Sequence, residues 1–135
     1  MQDRPTNAEL LEAVQYFLET DAVPALEGPK KFHARVAANV LAIVRRELES
    51  EEAQLRAEWE RLGELLGFVG DAPADRTALH RQVRQHTAEL SERIRNGDAD
   101  GGSWRLAVMA HVRRTVEDKL RVANPKYLGS ETDGS

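Results

Sequence analysis

The chain contains no cysteine, which excludes a disulfide framework, thiol catalysis and thiolate metal sites. Aromatic residues make up only 5%, so any core must be built mainly from Leu, Val and Ala, as in small helix bundles. No stretch approaches the roughly 18 consecutive apolar residues of a membrane span. The opening MQDRPTNAEL lacks the apolar core of a secretory signal, so the expected location is the cytoplasm. There is no excess of positive charge either: 19 Lys and Arg stand against 23 Asp and Glu, a net charge of -4. That balance argues against nucleic acid as a partner. What remains is 135 residues with 41% hydrophobic and 31% charged side chains, enough for one folded domain with a core. The expected layout is a single helical domain over 1–128 and a flexible C-terminal tail over 129–135.

No internal repeat and no alternating apolar–polar stretch is present, so the fold class is all-α: an antiparallel bundle of four to five helices. Thr6-Asn7-Ala8-Glu9 matches a capping box, and Leu10, Leu11, Val14, Phe17 and Leu18 follow at helical spacing to about Thr20. Pro24 disfavours helical geometry at Val23, and Gly28-Pro29 marks the start of a second helix to about Glu49. Ser50 either caps a third helix or lies within one continuous helix, since ESEEA holds no strong breaker. Leu55, Trp59, Leu62 and Leu66 form the next apolar face, which Gly67 and Gly70 end. Asp75 or Thr77 caps a helix with Leu79, Val83, Leu90 and Ile94 inward, and Asn96-Gly97 is a left-handed stop. Ser103 is the expected cap of the last long helix, with Val108, Met109, Val112, Val116 and Leu120 as its core stripe and Asn124-Pro125 at its end. The most apolar stretch is FHARVAANVLAIVRREL, Phe32–Leu48, whose apolar arc covers about half the helix circumference. Its place is expected to be central. Arg35, Arg45 and Arg46 share the remaining face with Ala38 and Ala42.

The familiar chemical motifs are missing. There is neither a phosphate-binding G-x-x-x-x-G-K-[ST] nor a G-x-G-x-x-G. Lys30 and Lys31 at a helix start are ordinary solvated lysines. Asp98-Ala99-Asp100 opens like a calcium loop, but Gly102 and Met109 stand where that loop needs ligands. No histidine carries the Glu-x-x-His spacing of di-iron bundles, and there is no H-E-x-x-H. Ser50, Ser91 and Ser103 sit in no nucleophile elbow. The arginine-rich faces (Arg35, Arg45, Arg46 and Arg81, Arg84, Arg93, Arg95) lack interleaved aromatics for base stacking. Neither a metal nor a cofactor is expected, and no catalytic residue can be named.

Four polar residues intrude on apolar helix surfaces. His86 interrupts the Leu79–Val83–Leu90–Ile94 stripe. His33 and Glu47 interrupt the arc of the second helix, and Asn39 lies at its edge. His80 and His111 lie at the flanks of their helices. If His33 and His86 meet, with Asn39 or Glu47 nearby, they form either a hydrogen-bonded core pair or a ligand contact, proton-transfer base or partial metal site. The expectation for His33 is a neutral, buried, hydrogen-bonded ring, because the positive end of its helix opposes protonation.

The opening MQDRPTNAELLEAVQYFLE, the VPALEG turn, FHARVAANVLAIVRREL and the closing ANPKYL resemble a family of short bacterial proteins catalogued as a domain of unknown function. The resemblance covers Met1 to Leu128. Members of that family are often encoded beside acyl-CoA dehydrogenases and kinases resembling aminoglycoside phosphotransferases, which implies a cytoplasmic accessory role near acyl-CoA metabolism and brings no catalytic residues. Absent catalytic motifs and abundant apolar helix surface point to a non-enzymatic accessory or interaction module. Its expected partner is a second copy or a neighbouring acyl-CoA-metabolism enzyme. The alternative is a small-ligand-binding bundle or weak enzyme built on His33, Asn39 and His86.

Overall fold

One long helix forms the axis on which every other long element packs. The computed structural model describes residues 3–130. Helix α1, Asn7–Phe17, runs through a π-helical turn, Leu18–Ala22, into the short α2, Val23–Ala25. Helix α3, Pro29–Leu66, follows with 38 residues, roughly 57 Å at 1.5 Å per residue. Then come α4, Arg76–Arg95, α5, Gly102–Ala123, and α6, Pro125–Ser130. Among the described residues the only regular elements are helices, joined by short loops, with no strand. The tail expected from 129 therefore begins inside α6, and 131–135 lie outside the described residues.

Local chemistry accounts for the boundaries. The Thr6–Glu9 capping box is formed: the Glu9 amide donates to Thr6 Oγ1 at 3.2 Å and the Thr6 amide to Glu9 Oε2 at 2.9 Å. Asp75, not Thr77, caps α4 by accepting from the Ala78 amide at 2.9 Å. Gly67 closes α3 in the left-handed region, φ +80°, where a Cβ would clash with the next carbonyl. Ser50 is no cap. With no Gly or Pro nearby the helix continues through it, and its hydroxyl donates back to the Arg46 carbonyl at 2.8 Å.

The order of contacts along α3 shows the direction of each neighbour. Arg45 reaches Gln15 and Glu12 on α1, and Glu19 and Val23, which follow α1, lie toward Ala38 and Asn39, so the chain from α1 onward runs antiparallel to α3. Trp104 bonds the Leu65 carbonyl, while Arg46 bonds that of Val122, so α5 is antiparallel too. Helix α4, contrary to the antiparallel bundle expected from the sequence, runs the same way as α3: His80 meets Glu51, Gln82 meets Trp59, and His86 meets Phe68 beyond the helix end. The loop between α3 and α4 makes this possible by returning along α3, where Arg56 bonds the carbonyls of Pro73 and Ala74.

The core lies in the second half of α3. Trp59, Leu62 and Leu65 pack with Leu79, Val83 and Leu90 of α4 and Val108 of α5, and Leu62 and Leu79 have no exposed surface. Gly63 allows the chain to fold back here, since a Cβ would stand 3.2 Å from the Phe68 ring and carbonyl.

The Phe32–Leu48 stretch is not central. The π-helical turn and α2 that follow α1 lie on the small-residue side of this stretch, where Ala34 and Ala38 are buried, whereas Phe32 remains 63% exposed and Val40 50%. Alanine lets two helices approach closely, and α4 and α5 are both engaged farther along. Helix α5 is likewise turned from the expected orientation. Val108 is buried, but Met109, Val112 and Val116 of the anticipated core stripe face outward, with Leu106 72% exposed.

Candidate functional site

The face that α5 turns inward is polar. His111, Thr115 and Asp118 recur at the i, i+4, i+7 spacing of one helix side and meet Arg61 and Glu58 of α3. Arg61 donates from Nε to His111 Nδ1 at 3.3 Å and from its terminal nitrogen to Thr115 Oγ1 at 3.4 Å, and lies 4.0 Å from Asp118. Asp118 also pairs within its own helix, with Arg114 at 3.3 Å and Arg121 at 3.5 Å. His111 and Asp118 are the buried polar residues of the described chain.

Burial, reinforced by the Arg61 cation, lowers the His111 pKa below its ordinary value of 6.5. This agrees with an Nδ1 that accepts a hydrogen bond and carries no proton. Burial also raises the Glu58 carboxyl above its ordinary 4.5, opposed by Arg61 and Lys119 and assisted by Asp118. The two act oppositely on stability. As pH falls through 6.5, unfolded chains take up a proton at His111 that the native chain refuses, and stability is lost. Native Glu58 instead takes up its proton before the unfolded chain does, so stability rises as pH falls through its native pKa. A His111→Gln variant keeps an acceptor for Arg61 without the titration. Its melting temperature is expected to fall less than the wild type's between pH 7 and 5.5, and parallel curves would refute the assignment.

Beside this seam, α3, α4 and α5 enclose a cleft of about 380 Å³. Leu55, Val122 and Ala123 form apolar walls, and Glu47, Glu51, Glu58, Asp118, His80 and Lys119 supply the polar lining. Glu51 is shared between His80, at 2.6 Å from Nε2, and Arg76. Among the described residues no group of three or more His, Asp or Glu is arranged to hold a metal ion. His111 Nδ1 and the Thr115 hydroxyl both accept from Arg61, an arrangement that locks α5 onto α3.

The residues singled out from the sequence are dispersed. His33 is exposed, its ring edge-on to Phe32 at 5.7 Å, and the expectation of a buried ring fails because nothing packs on that side of α3. Asn39 is exposed and borders a shallow depression with Glu19 and Arg35. His86 is half-buried and stacked on Phe68 at 4.1 Å, its Nδ1 3.7 Å from Glu89 and without a hydrogen bond. The length of α3 puts roughly 50 Å between His33 and His86, so the postulated His33–Asn39–His86 cluster is not assembled. Glu47 alone reaches a cleft. His80 and His111, set aside as flanking, hold the more consequential positions. The sequence signal for the seam was the i, i+4, i+7 polar row on α5 and the Arg114–Asp118–Arg121 spacing, both hidden behind a more apolar stripe.

The outward side of α5 forms an open groove of about 900 Å³ lined by Leu106, Met109, Val112, Val116, Leu120 and Tyr127 together with Arg113, Arg114 and Glu117. A 15.1 kDa folded monomer is expected to expose about 7,100 Å². This chain exposes 9807 Å². Subtracting about 160 Å², the value of an extended residue, for each position outside the described span still leaves a surplus of about 1,600 Å².

An all-helical protein built along one long helix, with an apolar core in the second half of that helix, one half-buried polar seam and an apolar outer face on α5, is the class these features define. A family model described as Domain of unknown function (DUF6285) matches residues 24–127, and the chain belongs to that family. The match takes in α3 to α5 and begins after α1, so the opening MQDRPTNAELLEAVQYFLE lies before it. No curated protein and no solved structure matches the chain. Among the described residues no helix is long and apolar enough to cross a membrane.

Proposed function

We propose that this chain is a non-enzymatic accessory module that docks another protein along the outer face of α5. The observation that carries this reading is the orientation of that helix: its polar side is packed on α3 while Leu106, Met109, Val112 and Val116 are exposed. Each such side chain gains about 1.5–3 kcal/mol on full burial, so a partner covering the row recovers what the isolated chain leaves in water. Arg113 and Arg114 in the groove lining suit an amphipathic helix with acidic flanks. The family resemblance supports an enzyme of acyl-CoA metabolism as the partner and a bacterial cytoplasm as the setting.

The test is direct binding to an acyl-CoA dehydrogenase of the kind encoded beside proteins of the family that this chain resembles. The purified proteins are expected to form a complex, and Met109→Glu is expected to weaken it by roughly a hundredfold, because the new charge would be buried unpaired. A complex indifferent to Met109→Glu would rule out the groove, and the absence of any complex would rule out the partner.

A further inference from the structure

The cleft of about 380 Å³ between α3, α4 and α5 is lined partly by groups that have partners and partly by groups that do not. Both oxygens of Glu51 are taken, Oε1 by His80 and Oε2 by Arg76. Asp118 holds Arg61 through one oxygen and Arg114 and Arg121 through the other. The Thr115 hydroxyl accepts from Arg61. Gln54 and Glu58 on α3 and Lys119 on α5 are left over. Among the described residues none of these makes a hydrogen bond or a contact ion pair, and Lys119 attracts Glu58 only through space. Glu47 is unpaired too, but it is exposed and its charge stays in water.

Glu58 is the consequential residue. It is half-buried, and burial disfavours its anion. A carboxylate so placed is stabilised by a cation brought beside it. Arg61 is already committed to His111, Thr115 and Asp118. The walls next to these polar groups are apolar, with Leu55 from α3 and Val122 and Ala123 from α5. A ligand carrying only a cation would be repelled by Lys119, and one carrying only an anion by Glu58. A zwitterion with an apolar group beside its two charges meets neither objection.

We propose that this cleft binds a free α-amino acid with an apolar side chain. Its ammonium group pairs with Glu58, its carboxylate with Lys119 and the Gln54 amide, and its side chain lies against Leu55, Val122 and Ala123. The volume stands at the small end of the roughly 300–1,000 Å³ of ligand sites, and apolar walls with a few orienting polar groups are their usual composition. The cleft shares no residue with the α5 groove, so this site and the docking reading stand or fall separately.

Isothermal titration calorimetry of the full chain with L-leucine tests the assignment, beside two probes that each lack one charge. Isopentylamine has no carboxylate and isocaproate no ammonium group. L-leucine is expected to bind, and each probe to bind at least about tenfold more weakly. Glu58→Gln is expected to weaken L-leucine by roughly tenfold or more without weakening isocaproate. Lys119→Met, at an exposed position, is expected to weaken it by about three- to fivefold. Should Glu58→Gln fail to fold, Ala123→Phe decides, because a ring at that exposed end of α5 is expected to fill the cleft and abolish binding. No binding of L-leucine, L-valine, L-methionine or L-phenylalanine at millimolar concentration would overturn the proposal. So would binding that Glu58→Gln and Lys119→Met leave intact, or that Ala123→Phe does not block. Isopentylamine binding as well as L-leucine would overturn the amino-acid assignment in favour of a simple amine.

Discussion

Replacing Leu62 by alanine is expected to destabilise the protein by about 3–4 kcal/mol, lowering the melting temperature by about 10–14 °C for a chain of this size. Leu62 has no exposed surface and sits where α4 and α5 both meet α3, among Trp59, Leu65, Leu79, Val83 and Val108. Truncation removes three carbons' worth of burial and leaves a cavity that two helices would have to close together. Phe32→Ala, in the stretch with the most apolar sequence, is expected to cost less than about 1 kcal/mol in dilute monomer, because that ring is 63% exposed. Thermal and urea denaturation of the two variants compare the two halves of α3 directly. Equal losses would mean that the core is not where α4 and α5 place it.

Asp118→Ala is expected to cost about 2–3 kcal/mol. The Asp118 side chain is only 10% exposed and stands between Arg61, Arg114 and Arg121. Without it, Arg61 keeps two neutral hydrogen-bond partners, His111 and Thr115, and the attraction of the Glu58 carboxyl, which burial disfavours as an anion. The cost falls below that of breaking a fully buried pair because Arg114 and Arg121 are about half exposed, at 49% and 50%, and can turn to water. A double variant, Arg61→Met/Asp118→Leu, is expected to recover most of the loss, since apolar replacement of both partners removes the desolvation penalty together with the attraction. If Asp118→Ala melts like the wild type, the seam does not hold α5 in its orientation, and the outward placement of Met109 and Val116 loses its cause.

Much of the secondary structure was legible in advance because it is decided within a few residues. The Thr6–Glu9 box, the Asp75 cap and the stop at Gly67 are local hydrogen-bonding and backbone events, and all three are formed. The left-handed stop after α4 falls on Gly97, φ +89°, with Asn96 still right-handed. The apolar steps Leu55–Trp59–Leu62–Leu66 and Leu79–Val83–Leu90 marked true core faces. The candidate site was far less legible. His33, Asn39, His86 and Glu47 stood out only as polar residues on apolar arcs, and such an arc marks a buried position only if something packs on it.

The amino-acid sequence by itself determined an all-α chain and several of its helix boundaries, among them Thr6, Pro29, Gly67 and Asp75. The last long helix, however, starts at Gly102 and not from a Ser103 cap, and Val23 is helical despite Pro24. The sequence also showed that cysteine and the phosphate-loop and nucleophile-elbow motifs are absent from these residues. Only the tertiary structure decided which face of each helix is used. Periodicity ranks helix faces by hydrophobicity, but α3 receives the π-helical turn and α2 on its alanine side, and α5 is held by Arg61 pairing with His111, Thr115 and Asp118. Those choices depend on side-chain shape and on charge pairs more than fifty residues apart in the chain. They leave Phe32, Val36 and Val40 of α3 and Leu106, Met109 and Val116 of α5 turned outward.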